Sequence, residues 1–139
     1  MNRAFAAVRV LDFTTTIAGP HCTRLLADLG ADVVKIEAPE GDVMRSRPPL
    51  RKGVSSNFGQ LNAGKRSVVL DLKDRRAVAA ARRLAERSDI LVENYRPGVM
   101  HRLGLDFAVL EQSNLRLIYC STRGMARRAP PRICRPMHL

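Results

Sequence analysis

Tryptophan is absent and other rings are scarce: two tyrosines and four phenylalanines make up 4% of the 139 residues. A core must therefore be built from aliphatic side chains, and the 45% hydrophobic content supplies one of modest size, in one domain and not two. The same scarcity speaks against a single-stranded nucleic-acid platform, which stacks bases on rings. Three cysteines, Cys22, Cys120 and Cys134, stand far apart with no C-x-x-C pair. Neither a disulfide framework nor a zinc site is supported, because His21, Cys22, Cys120, Cys134 and His138 show no two-plus-two ligand spacing. No apolar run approaches the roughly 20 residues that span a bilayer. The opening apolar stretch is broken by Arg9, short of the about 7–15 residues of a signal peptide, so a cytoplasmic protein without a membrane partner is expected. No Ser–His–Asp or Cys–His arrangement is present for His21, His101 or His138 to serve.

Acidic residues are few as well, 13 against 24 basic ones, for a net charge of +11. The imbalance is uneven. Residues 123–139 hold five arginines and no acid, leaving 19 basic against 13 acidic residues before them. Nucleic-acid binding is thus expected only from that tail, as a salt-dependent and sequence-blind contact. Met125 to Pro136 shows neither helical nor strand periodicity, so 123–139 reads as a disordered basic tail after a domain spanning 1–122.

Within the domain, short β-branched runs alternate with helical ones. Residues 8–13 read as a strand and Thr14–Gly19 as a turn. A helix then begins near Pro20, with Leu25, Leu26 and Leu29 on one face and Gly30 as its left-handed cap. Val33–Glu37 is the next strand. Residues 38–61 show no period and read as a long loop, punctuated by Pro39, Gly41, Pro48, Pro49 and Gly53. Ser67–Leu72 is a strand, and Asp74 caps a helix over 75–87 with Val78, Ala81, Leu84 and Ala85 at core spacing. Strand Ile90–Glu93, short helices around 98–103 and 107–112, and strand Leu117–Ser121 follow. This alternation predicts an α/β fold with a parallel sheet covered by helices on both faces.

Ligands of open α/β sheets sit beyond the carboxyl ends of the strands. Two places qualify. The turn before Pro20 could present helix amides to phosphate, although no G-x-G-x-x-G is present and a plain tight turn fits equally well. The strand end Leu70-Asp71-Leu72-Lys73, with Asn94-Tyr95-Arg96 after the next strand, offers cations, an amide and a ring to a phosphorylated purine ligand. On pattern alone a solvated loop is the plainer reading there. The arginines Arg75, Arg76, Arg82, Arg83 and Arg87 read as a solvated helix face.

The motifs Val10–Thr14, Ala18-Gly19-Pro20, Leu25–Glu37, Asn62 with Lys65-Arg66-Ser67, Leu70–Lys73 and Asp89–Gly98 occur in one order. Together, from about residue 7 to 122, they resemble the class III CoA-transferases, the family of formyl-CoA transferase, carnitine CoA-transferase and α-methylacyl-CoA racemase. The resemblance implies a Rossmann-like large domain, here its incomplete N-terminal part, and interlocked homodimers. It implies transfer of CoA between an acyl-CoA and a carboxylic acid through an aspartate that lies beyond the matched region, so no catalytic residue is carried over. Coenzyme A or its thioester enters as substrate, with no permanently bound cofactor. The carried-over contacts are Ile17, Ala18, Leu70, Asp71, Leu72, Lys73, Asn94, Tyr95, Arg96 and Arg102. Ala38 stands where some members have an arginine, so that contact is not carried over. A racemase-branch fragment, or a CoA-binding module without turnover, are the alternatives. Codons permitted for Gly124–Leu139, read two bases later, can spell a glycine-rich stretch resembling the family's continuation. The tail is therefore expected to be out of frame from near residues 122–124, and the coding DNA tests that.

Overall fold

The computed structural model describes residues 4–122. The expected disordered, out-of-frame tail of 123–139 lies outside the described residues.

Five strands form one parallel sheet: β1 (Arg9–Asp12), β2 (Asp32–Glu37), β5 (Arg66–Val69), β6 (Ile90–Glu93) and β7 (Ile118–Ser121), in the order β5-β2-β1-β6-β7. Fully buried aliphatic positions in the three central strands β1, β2 and β6 explain the absence of strict alternation there. Helices cover both faces, as expected. On one face α3 (Arg75–Glu86), α4 (Val99–Arg102) and α5 (Phe107–Leu110) enclose Leu11, Phe13, Leu91, Leu105 and Leu117. On the other, α1 (Ala18–Asp28) lays Leu26 and Ala27 on Val10, Val33 and Val92. The chain runs outward from β1 through β2 to β5, then returns along α3 to β6 on the far side of β1. The order of strands therefore reverses between β1 and β6, which opens a crevice at their carboxyl ends.

Several local expectations hold. Asp74 accepts from the Arg76 amide at the start of α3, Ala81 and Ala85 are fully buried, and Gly30 takes φ 105 after α1. Others need correction. Leu25 and Leu29 are about half exposed; α1 instead buries Gly19, Pro20 and Thr23 against β1.

Residues 38–61 are not an irregular loop. They form a 3-10 turn (Val43–Ser46), an antiparallel hairpin of β3 (Leu50–Arg51) and β4 (Val54–Ser55), and helix α2 (Ser56–Asn62). Charges buried in β2 hold this excursion down. Lys35 Nζ lies 2.9 Å from Asp42 Oδ2, both side chains 1% exposed, and donates to the Thr14 carbonyl at 2.6 Å. Glu37 takes both ends of the Arg45 guanidinium at 2.7 Å, and that guanidinium stacks 4.0 Å from the centre of the Phe58 ring.

Glu37 makes this excursion sensitive to acid. Burial pushes its carboxyl up, but hydrogen bonds from Arg45, Ser67 and the Asp42 amide, with the charge of Arg45, outweigh that and hold it at about 2. A carboxyl lowered from 4.5 contributes stability that is complete above that pH and is lost as pH falls toward about 2. Urea midpoints are expected to fall across that window, and Glu37→Gln to flatten the fall. Identical slopes in the two proteins would show that Glu37 is not the group responsible.

Candidate functional site

The crevice between β1 and β6 is organised by one carboxylate. Asp12 ends β1 fully buried and accepts from the Thr14 amide (2.8 Å), Thr14 Oγ1 (2.5 Å), Thr23 Oγ1 (2.6 Å) and Lys65 Nζ (3.0 Å). Lys65 also reaches the Pro20 carbonyl and Asn62 Oδ1, so α1, α2 and β1 meet on one ammonium. Burial lowers the Lys65 pKa, a shift the Asp12 charge opposes. The result is a fixed turn, with Thr16 at φ 72. Ile17 and Ala18 lie exposed at its tip.

Asn94 locks that turn to β6. Its Oδ1 accepts from the Thr15 amide at 2.9 Å, and its Nδ2 donates to the Thr15 carbonyl at 2.8 Å. The side chain carried over as a ligand contact is thus a clasp with its amide engaged at both ends. The next residue is differently placed. The Tyr95 amide donates to buried Glu93, and its ring packs on the core beside Leu70, Leu72 and Leu103. Burial raises the phenol pKa, with the Asp12, Glu93 and Asp42 charges adding, so the ring stays neutral.

These side chains bring the predicted residues together. A cavity of about 220 Å³ is lined by Ile36, Ala38, Leu70, Leu72, Tyr95 and Leu103, with Asp71 and Lys73 among the lining residues. Its walls are mostly aliphatic and aromatic, with Glu40, Asp71 and Lys73 as the charged lining residues, and its size suits one flat heterocycle rather than a whole drug-sized ligand. Asp71 turns the chain there by accepting from the Lys73 amide. Arg96 and Arg102 are exposed nearby, Arg96 on the wall of a neighbouring cleft and Arg102 folded back over Gly98. Ile17 and Ala18 stand apart from the cavity, at the crevice. A larger groove of about 840 Å³ runs between β5 and α3 at the sheet edge, meeting the cavity at Leu70. No group of three metal-ligating side chains converges among the described residues.

The buried carboxylates at this end are committed to structure: Asp12 and Asp42 to lysines, Glu37 to Arg45, Glu93 to the Tyr95 amide, whereas Glu40 and Asp71 line the cavity exposed. The arrangement offers a narrow, largely apolar slot with cations nearby, and none of these four buried carboxylates is free to attack a ligand.

A family model described as CoA-transferase family III matches residues 5–135. The chain belongs to CoA-transferase family III. A succinyl-CoA:mesaconate CoA-transferase of Haloarcula hispanica is 46% identical over 125 residues, covering 84% of this chain and 31% of the relative. A formyl-CoA:oxalate CoA-transferase of Streptomyces avermitilis is 42% identical, covering 89% and 31%. The chain thus spans about a third of the length of these curated relatives. Among solved structures, a CAIB/BAIF family protein of Brucella suis superposes with TM-score 0.87 at 35% identity, covering 94% of this chain and 36% of that one. The Mycobacterium tuberculosis protein Rv3272 gives 0.81 at 40%, covering 87% and 34%. For a family III fold, the crevice and cavity above are therefore positioned by a backbone shared with longer members. No helix among the described residues is long and apolar enough to cross a membrane.

Proposed function

We propose that residues 4–122 hold the nucleotide end of a CoA thioester, as the CoA-binding part of an acyl-CoA:carboxylate CoA-transferase. The observation that carries this reading is the apolar cavity at the ends of β2 and β5, flanked by Tyr95 and rimmed by Lys73. A purine base is flat, apolar on both faces and edged with hydrogen-bonding atoms, which matches walls made of leucines and a neutral phenol. Pyrophosphate oxygens leaving the base would meet Lys73, Arg96 and Arg102, none of which has a carboxylate partner among the described ion pairs. Acyl transfer itself belongs to longer family members, three of which are named for succinyl-CoA, formyl-CoA and acetyl-CoA chemistry.

Titration calorimetry of the 139-residue chain with CoA tests the reading. Binding is expected, and Tyr95→Ala should weaken it by about tenfold, the scale of one buried ring contact. Absence of heat with CoA, or equal affinity after Tyr95→Ala in a variant that still melts cooperatively, would overturn it.

A further inference from the structure

The helical layer on the α3 side of the sheet stops short of its edge. Helices α3, α4 and α5 enclose the residues of β1 and β6 there, so Leu11 and Leu91 are fully buried. Strand β5 closes the sheet at one edge, and Val68 and Leu70 beside α3 stay half-buried. A sheet face without a helix leaves bare the apolar surface that folds of this class cover. Between β5 and α3 runs the groove of about 840 Å³, with Val68, Leu70, Ala80 and Leu84 along it. Toward the amino ends of the strands it continues into a cavity of about 160 Å³, which shares Leu84 and Arg87 and adds Val34. The two together run alongside α3, whose 12 residues span about 18 Å.

Charge at the rim narrows what fits. Arg76, Arg83 and Arg87 lie seven and four residues apart and so share one side of α3. Arg76 pairs with Asp74, whereas Arg83 and Arg87 have no carboxylate partner among the described ion pairs. Glu86 is the one carboxylate on the walls. A second copy of this chain is a poor match, because its described helices offer no acidic flank: α1 carries Asp28 alone, α2 none and α3 Glu86 alone. We propose that this groove docks an amphipathic helix of a partner polypeptide, its apolar stripe on Val68, Leu70, Ala80 and Leu84 and its acidic flank toward Arg83 and Arg87. Such a helix completes the layer beside α3, buries four half-buried aliphatic side chains fully and sets carboxylates against unpaired guanidiniums. The apolar stripe supplies most of the affinity and the charged flank the choice of partner, since exposed ion pairs contribute little each.

Fluorescence anisotropy with designed peptides of about 15 residues, held helical by a side-chain lactam, tests this. One carries a leucine stripe flanked by glutamates, a second the same stripe flanked by lysines, and a third the glutamate composition with the stripe scrambled. The 139-residue chain is expected to bind the first at least about tenfold more tightly than either of the others. Arg83→Glu/Arg87→Glu should reverse the preference between the first two; both side chains are exposed, so its thermal melt should stay cooperative. Arg51→Glu/Lys52→Glu, on the β3–β4 hairpin outside the groove, should leave the preference unaltered and so separates a docked helix from attraction to net charge. Equal binding of the scrambled peptide, no binding of the first, or a preference that the α3 variant leaves in place overturns the proposal. A dimer in sedimentation whose strength the α3 variant shifts, with no binding of the first peptide, gives the groove to a second copy and overturns it too. None of these readouts involves CoA, so the docking surface and the CoA reading stand or fall separately.

Discussion

Asp12→Ala is expected to cost about 3–5 kcal/mol, enough to unfold a domain of ordinary stability or bring it to the edge. The reason is the charge it strands. Lys65 has a side chain 2% exposed and Asp12 is its ion-pair partner at 3.0 Å. Removing the carboxylate leaves a buried ammonium facing only the Pro20 carbonyl and Asn62 Oδ1. Thr23 loses less, because its hydroxyl also lies within reach of the Gly19 and Pro20 carbonyls. Thr14 loses both the partner of its amide and that of its hydroxyl. Removing both charges should therefore hurt less than removing one: Asp12→Ala/Lys65→Met is expected to recover a substantial part of the loss. Equilibrium urea unfolding of the three proteins measures this. A single Asp12→Ala variant within about 1 kcal/mol of wild type would show that the pair is not what holds β1 to α2.

Gly19→Ala is the second large effect. A Cβ at Gly19 would lie 2.4 Å from Thr14 Cβ and 2.5 Å from Thr14 Cγ2. Thr14 cannot move aside, since it is fully buried, β-branched and bonded to Asp12 at both its amide and hydroxyl. One methyl group is expected to cost about 3 kcal/mol through overpacking, and to weaken CoA binding by displacing the turn at Ile17 and Ala18. Gly59→Ala provides the contrast. Gly59 sits inside α2 with nothing within 4 Å of its Cβ position, so that substitution should stabilise by about 0.5–1 kcal/mol. Melting temperatures that move in the same direction for both variants would contradict the close-approach argument.

The parallel sheet was legible because each strand is a short β-branched run, and α3 because Asp74 caps its start and Ala81 and Ala85 stand at core spacing. What escaped the pattern was whatever is held by distant partners. Residues 38–61 lack hydrophobic period because ion pairs to Lys35 and Glu37, and the stacking of Arg45 on Phe58, organise them. A signal was present: a lysine and a glutamate inside the run Val33–Glu37 are residues that a buried central strand cannot carry unpaired. The site divides the same way. Leu70, Leu72 and Tyr95 converge as their positions implied, because strand ends of one sheet come together. Asn94 proves to be a clasp, which only the 2.8 and 2.9 Å bonds to Thr15 reveal. The α3 arginines form the solvated face that their helical spacing implied: Arg75, Arg76, Arg82, Arg83 and Arg87 are all exposed.

The proposed function depends on residues 4–122 seating a nucleotide at the carboxyl ends of the strands. The most direct measurement follows backbone amide resonances of the 139-residue chain during titration with CoA. Shifts are expected at Thr15–Ala18, Leu70–Lys73 and Tyr95–Arg96, with the amino ends of the strands, Arg9, Asp32 and Asp89, unmoved. Shifts centred on those amino ends, or none at saturating CoA, would contradict the account.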